Sequence, residues 1–87
     1  MESKTLPKLP DALRAIVEGP GWEAGWFGDP YYDYEADDWA TVEVYLDDGG
    51  AWAYVVNVAA SEEVSLRSLV LVTSLARRIE DALEESE

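Results

Sequence analysis

The sequence predicts a small α+β domain: a short N-terminal helix, a two- or three-stranded antiparallel sheet, and a longer C-terminal helix packed on that sheet. Three observations predict it. Residues 41–46 alternate, residues 47–50 read Asp-Asp-Gly-Gly, and residues 51–58 return as a second strand, which together make a hairpin. Beyond Ser61, Leu66, Leu69, Val72, Ala76, Ile79 and Leu83 recur at steps of three and four, the signature of a helix with one apolar side. The chain has 87 residues and is 48% hydrophobic, which suits one core and leaves no room for a second domain. Residues 1–87 are therefore one domain, with 1–8 and 84–87 expected to fray.

The first helix is read over residues 10–18. Pro10 suits its first turn, Asp11 sits near the positive end of the dipole, and Leu9, Leu13, Ile16 and Val17 share a side. Gly19 and Pro20 stop it, with Gly19 as the expected left-handed cap. Residues 22–27 are short and aromatic and read as a strand, and Gly28-Asp29-Pro30 as a turn. Residues 31–38 show no clean period and read as a loop holding at most a brief strand. In the hairpin, a four-residue turn would set Leu46 opposite Ala51, Val44 opposite Ala53 and Val42 opposite Val55. That is a small aliphatic face suited to a helix, with Tyr45, Trp52 and Tyr54 on the other face. Ser61 is the expected cap of the long helix, Glu62 and Glu63 its first turn, and Leu83 its approximate end.

Composition excludes several kinds of chemistry. The chain has no Cys and no His, so disulfides, thiol catalysis, zinc sites of the usual kind and Ser-His triads fall away. The glycine pairs lack a phosphate-binding lysine. Asp33, Glu35 and Asp37 alternate as a calcium loop begins, but Asp38 replaces the required glycine and Val44 the final glutamate, so a solvated acidic loop is the better reading. The expectation is a non-enzyme without cofactor or metal. No leader or membrane-spanning run is read in the sequence, so the expected location is the cytoplasm, or the host cytoplasm for a phage-encoded protein.

Function is read from the distribution of charge. The net charge is −13, yet residues 21–60 hold nine carboxylates and no Lys or Arg. The same segment contains all four Trp, all five Tyr and the single Phe, so acid and aromatic side chains are concentrated together. Such a segment repels nucleic acid and anionic membranes and suits an Arg-rich partner, whose guanidinium groups pair with carboxylates and stack on rings. The expected partner-binding residues are Asp29, Tyr31, Tyr32, Asp33, Tyr34, Glu35, Asp37, Asp38, Trp39, Asp47 and Asp48. Their seven aspartates and glutamates are expected to form one negative patch away from Arg77 and Arg78. The leading expectation is an inhibitor that occupies the nucleic-acid-binding surface of a basic protein or complex, in the manner of phage or plasmid anti-CRISPR and antirestriction proteins. The likeness is one of character, with no shared motif. The alternatives are an immunity protein or antitoxin against a basic nuclease, and an acidic interaction domain without inhibitory role. The protein itself is expected to bind neither nucleic acid nor membrane, and to be a monomer or homodimer.

Overall fold

The computed structural model describes residues 8–59 and 63–85. In chain order the elements are α1 (Asp11–Val17), β1 (Trp22–Phe27), β2 (Asp29–Asp37), β3 (Ala40–Leu46), β4 (Trp52–Val58) and α2 (Leu66–Glu85). The four strands form one antiparallel meander in the order β1-β2-β3-β4. α2 packs across one face of it, chiefly over β3 and β4, with α1 at its side. The predicted class holds, with one strand more than expected.

The extra strand is β2, nine residues long, where a loop was expected. Its two faces explain why no period shows. Tyr32, Tyr34 and Ala36 point to the helices, while Tyr31, Asp33 and Glu35 point away. Tyrosine occurs on both sides, so polarity does not alternate cleanly, although aromatic residues favour extended backbone throughout. Two glycines on the β1 side give the tyrosine rings room. A Cβ on Gly25 would stand 2.3 Å from Tyr31 Cζ, and one on Gly21 would stand 2.7 Å from Tyr34 Cε2. Gly21 also has φ +90°, so it, and not Gly19, supplies the left-handed residue after α1.

The β3–β4 hairpin differs from expectation by one residue. Asp47 and Ala51 close the turn: Asp47 N–H donates to Ala51 O at 2.9 Å, and Asp47 Oδ1 accepts from the N–H groups of Gly49 and Ala51, both at 2.9 Å. Gly50 then takes φ +80°. Only three residues lie between the closing pair, so Leu46 faces Trp52, Val44 faces Tyr54 and Val42 faces Val56. A one-residue slip exchanges the two faces of a strand. Trp52, Tyr54 and Val56 therefore wall the core, and the outward face of β4 is the small one, with Ala53, Val55 and Asn57.

The core joins Leu9, Leu13, Ile16 and Val17 around α1, Ala40, Val42 and Val44 on β3, and Val72, Leu75, Ile79 and Ala82 on α2. Tilted ring contacts, Trp22 to Tyr34 at 5.4 Å and Tyr32 to Trp52 at 6.2 Å, close its rim. The start and rotation of α2 differ from the sequence reading. The expected cap, Ser61, lies outside the described residues. Ser65 caps the helix, its Oγ accepting from Ser68 N–H at 3.1 Å. The buried Ser68 donates its hydroxyl toward Ala36 O and Asp37 Oδ2, both 3.4 Å away. With Ser68 facing the sheet, Leu66 and Leu69 turn outward and are 76% and 36% exposed. Val72 and Ile79 are buried as expected, and the helix continues through Glu85.

Candidate acidic docking face

The helices cover one face of the sheet. On the other face, antiparallel register sets Glu23, Asp33 and Glu43 directly beside one another on β1, β2 and β3. Neighbouring strands lie about 4.8 Å apart, which is the lateral step between these three positions. Asp29 and Glu35 stand on the same face of β2, and Tyr31 and Tyr45 face each other one row along. No Lys or Arg occurs anywhere in residues 21–60, so the sheet supplies no cation of its own. Arg77 and Arg78 lie on α2, in the layer behind.

The row is electrostatically strained. Partial burial, and then the charge of Glu23, raise Asp33 above the usual carboxylate range. Partial burial, and then the charge of Asp33, raise Glu43. A folded-state carboxyl raised above its unfolded value favours the fold below the unfolded value, and that favour is lost as pH rises through the folded value. At neutral pH the ionised row therefore opposes folding.

The predicted residues divide into groups. Asp29, Tyr31, Asp33 and Glu35 are together on the outer face. Tyr32 and Tyr34, expected on an exposed loop, are core wall on the opposite face. Asp37 follows an irregularity between Glu35 and Asp37 that turns it toward α2, where Oδ2 meets Ser68 Oγ and Oδ1 accepts from Trp39 N–H at 3.3 Å. Asp38 and Trp39 form the β2–β3 turn, with Trp39 45% exposed. Asp47 is engaged in its own turn, and Asp48 is exposed at its tip. The two turns are at opposite ends of β3, whose seven residues span roughly 23 Å. The predicted seven acids thus do not form one patch. The acidic row is instead completed by Glu23 and Glu43, which sequence reasoning omitted. Their signal was present: each alternates with inward-facing apolar neighbours, Trp22 and Ala24 around Glu23, and Val42 and Val44 around Glu43.

The shallow depression over the row is lined in part by Glu23, Asp33, Glu35, Thr41 and Glu43 and holds about 200 Å³. Ligand pockets usually hold roughly 300–1,000 Å³, so this depression is smaller than a usual small-molecule site. Among the described residues no three carboxylates converge as metal ligands, and no helix is long and apolar enough to cross a membrane. Comparison with protein-family models, curated proteins and solved structures finds no match.

Proposed function

We propose that this protein is a non-catalytic inhibitor whose outer sheet face docks on the nucleic-acid-binding surface of a basic protein, taking the place of the phosphates. The observation that carries the reading is the cross-strand row Glu23–Asp33–Glu43, on a sheet with no cation. Three features support it. Carboxylates recur about 4.8 Å apart across the strands and about 6.8 Å apart between Asp33 and Glu35 along β2, a regular charged lattice on a rigid support. The raised Asp33 and Glu43 are held where a guanidinium or ammonium group relieves repulsion as it binds. Tyr31 and Tyr45 lie beside the acids and offer ring faces to arginine. A partner of this kind places the action in the cytoplasm, that of the host for a phage-encoded inhibitor.

The test is capture followed by competition. Immobilised protein is exposed to a host lysate at low and high salt, alongside a Glu23→Lys, Asp33→Lys, Glu43→Lys variant. The partner is then loaded with labelled nucleic acid and titrated with the free protein. The reading expects a basic nucleic-acid-binding protein, captured by the wild type only, released by salt, and stripped of its nucleic acid near one-to-one stoichiometry. Equal capture by the charge-reversed variant, or a tight complex that leaves nucleic acid in place, overturns it. The second result would point to an inhibitor acting elsewhere on its target, as immunity proteins can.

A further inference from the structure

Two observations meet at β4. The strand order leaves one side of β4 without a neighbour among the described residues. Natural edge strands usually carry charge, proline or a bulge that discourages pairing with another chain. β4 reads WAYVVNV, and residues 49–60 contain no charged side chain in a chain of net charge −13. The opposite edge, β1, carries Glu23 and Gly25.

The second observation is the flank of α2 beside that edge. Burial, and then the nearby Glu80 carboxylate on α2, raise the Tyr54 hydroxyl of β4 above its ordinary value, which sets Glu80 beside Tyr54. The flank of α2 that carries Glu80 is therefore the one above β4. Leu69, Thr73 and Ala76 share this flank at helical spacing. Leu69 and the adjoining Leu66 are exposed there, 36% and 76% respectively. Apolar helix surface and an unguarded strand edge thus occur on the same side of the molecule.

We propose that β4 pairs with β4 of a second copy of this chain, antiparallel about a two-fold axis through Val55, to give one continuous eight-stranded sheet. Centring on Val55 overlaps the whole strand and sets Tyr54 against Val56 and Trp52 against Val58 of the mate, cross-strand pairs of the stabilising aromatic and β-branched kind. The helices fit the same operation. α2 lies over β3 and β4, so the axis places the two α2 helices about two strand spacings apart, roughly 10 Å, within reach of the 8–10 Å at which helices pack. Ser68 is level with Ala36 and Asp37, and Glu80 with Tyr54, so the small side chain of Ala76 falls near the level of the axis.

Charge selects this edge. The nearest outer-face acids, Glu43 and its mate, end three strand spacings apart, about 14 Å, beyond the ~8 Å screening length at physiological ionic strength. Pairing through β1 would set the two Glu23–Asp33–Glu43 rows edge to edge. The axis is perpendicular to the sheet, so both acidic faces look the same way.

Sedimentation of the full chain over a micromolar concentration series is the test, with Val55→Lys and Val55→Cys as variants. Val55 faces away from the core, and the circular dichroism of each variant reports whether the fold is kept. The chain has no cysteine of its own. Cα atoms across an antiparallel pair are about 4.5–5.5 Å apart, inside the range a disulfide bridges, so Val55→Cys is positioned to link to its mate. The expected result is a wild-type dimer, a folded Val55→Lys monomer, and oxidation of Val55→Cys to a covalent dimer while Glu23→Cys stays monomeric. A wild type that is monomeric throughout, a Val55→Lys protein that dimerises as tightly, or a Glu23→Cys protein that crosslinks as readily overturns the proposal.

Discussion

Replacing Asp33 by Asn should make the protein more stable. The substitution keeps shape and removes the central charge of the row, so both like-charge neighbours are relieved together: Glu23 on one side and Glu43 on the other. Directly opposed side chains in a sheet interact by roughly 0.2–1 kcal/mol per pair, and exposure of Asp33 to solvent puts each pair toward the lower end. Two pairs then give about 0.5–1 kcal/mol. For a domain of this size that corresponds to a rise in Tm of roughly 2–8 °C. The gain belongs to the ionised form. Asp33 and Glu43 are both raised, so the difference between wild type and variant should be full at neutral pH and fade as acid protonates the row. Added salt should shrink it too. Thermal unfolding by circular dichroism, at neutral and acidic pH and at two salt concentrations, measures all three. A variant that melts at or below the wild-type temperature at neutral pH and low salt would show that the row is not a strained charge cluster.

Further predictions concern the fold around that face. Val44→Asp should unfold the domain, costing more than about 3 kcal/mol, because Val44 is fully buried on β3; Leu69→Asp should leave the domain folded, as denaturant titration will show. Gly25→Ala should cost about 1–3 kcal/mol by forcing the Tyr31 ring off β1, visible as a lower melting temperature and altered tyrosine fluorescence. Asp47→Ala removes the acceptor for the Gly49 and Ala51 N–H groups and should cost about 1–2 kcal/mol in chemical denaturation, while leaving partner competition unchanged.

How far each element was legible depends on what set its geometry. The helices and the β3–β4 hairpin are written in local spacing and were readable. The register of that hairpin was not, because Asp47-Asp48-Gly49-Gly50 admits more than one closing pair, and the choice lies with a carboxylate bonding two backbone N–H groups. The face assignments of Trp52 and Tyr54 follow from that single choice. The rotation of α2 depends on Ser68 meeting the end of β2, a contact between residues more than thirty positions apart that helical periodicity does not contain. β2 was obscured by tyrosines on both faces. The acidic character of the middle segment was plain, but its composition did not say which acids share a face. Pairing did: it joined Glu23 and Glu43 to Asp33, drew Asp37 and Asp47 into structural roles, and sent Asp38 and Asp48 to opposite ends.

The meander also governs how the chain acquires its shape. Every pair of adjacent strands is joined through a very short connection: Gly28 alone, then Asp38 and Trp39, then the Asp47–Ala51 turn. Closing such short loops sacrifices little chain entropy, and contacts between near neighbours in sequence form quickly. The sheet is thus able to assemble by successive zippering of hairpins, without waiting for distant segments to meet. The long-range step is the docking of α1 and α2, which flank the sheet in the chain and close over the same side of it. Mutations along the helix–sheet seam, at Val72 or Ile79, should therefore mainly accelerate unfolding, and those in the hairpins should mainly slow folding.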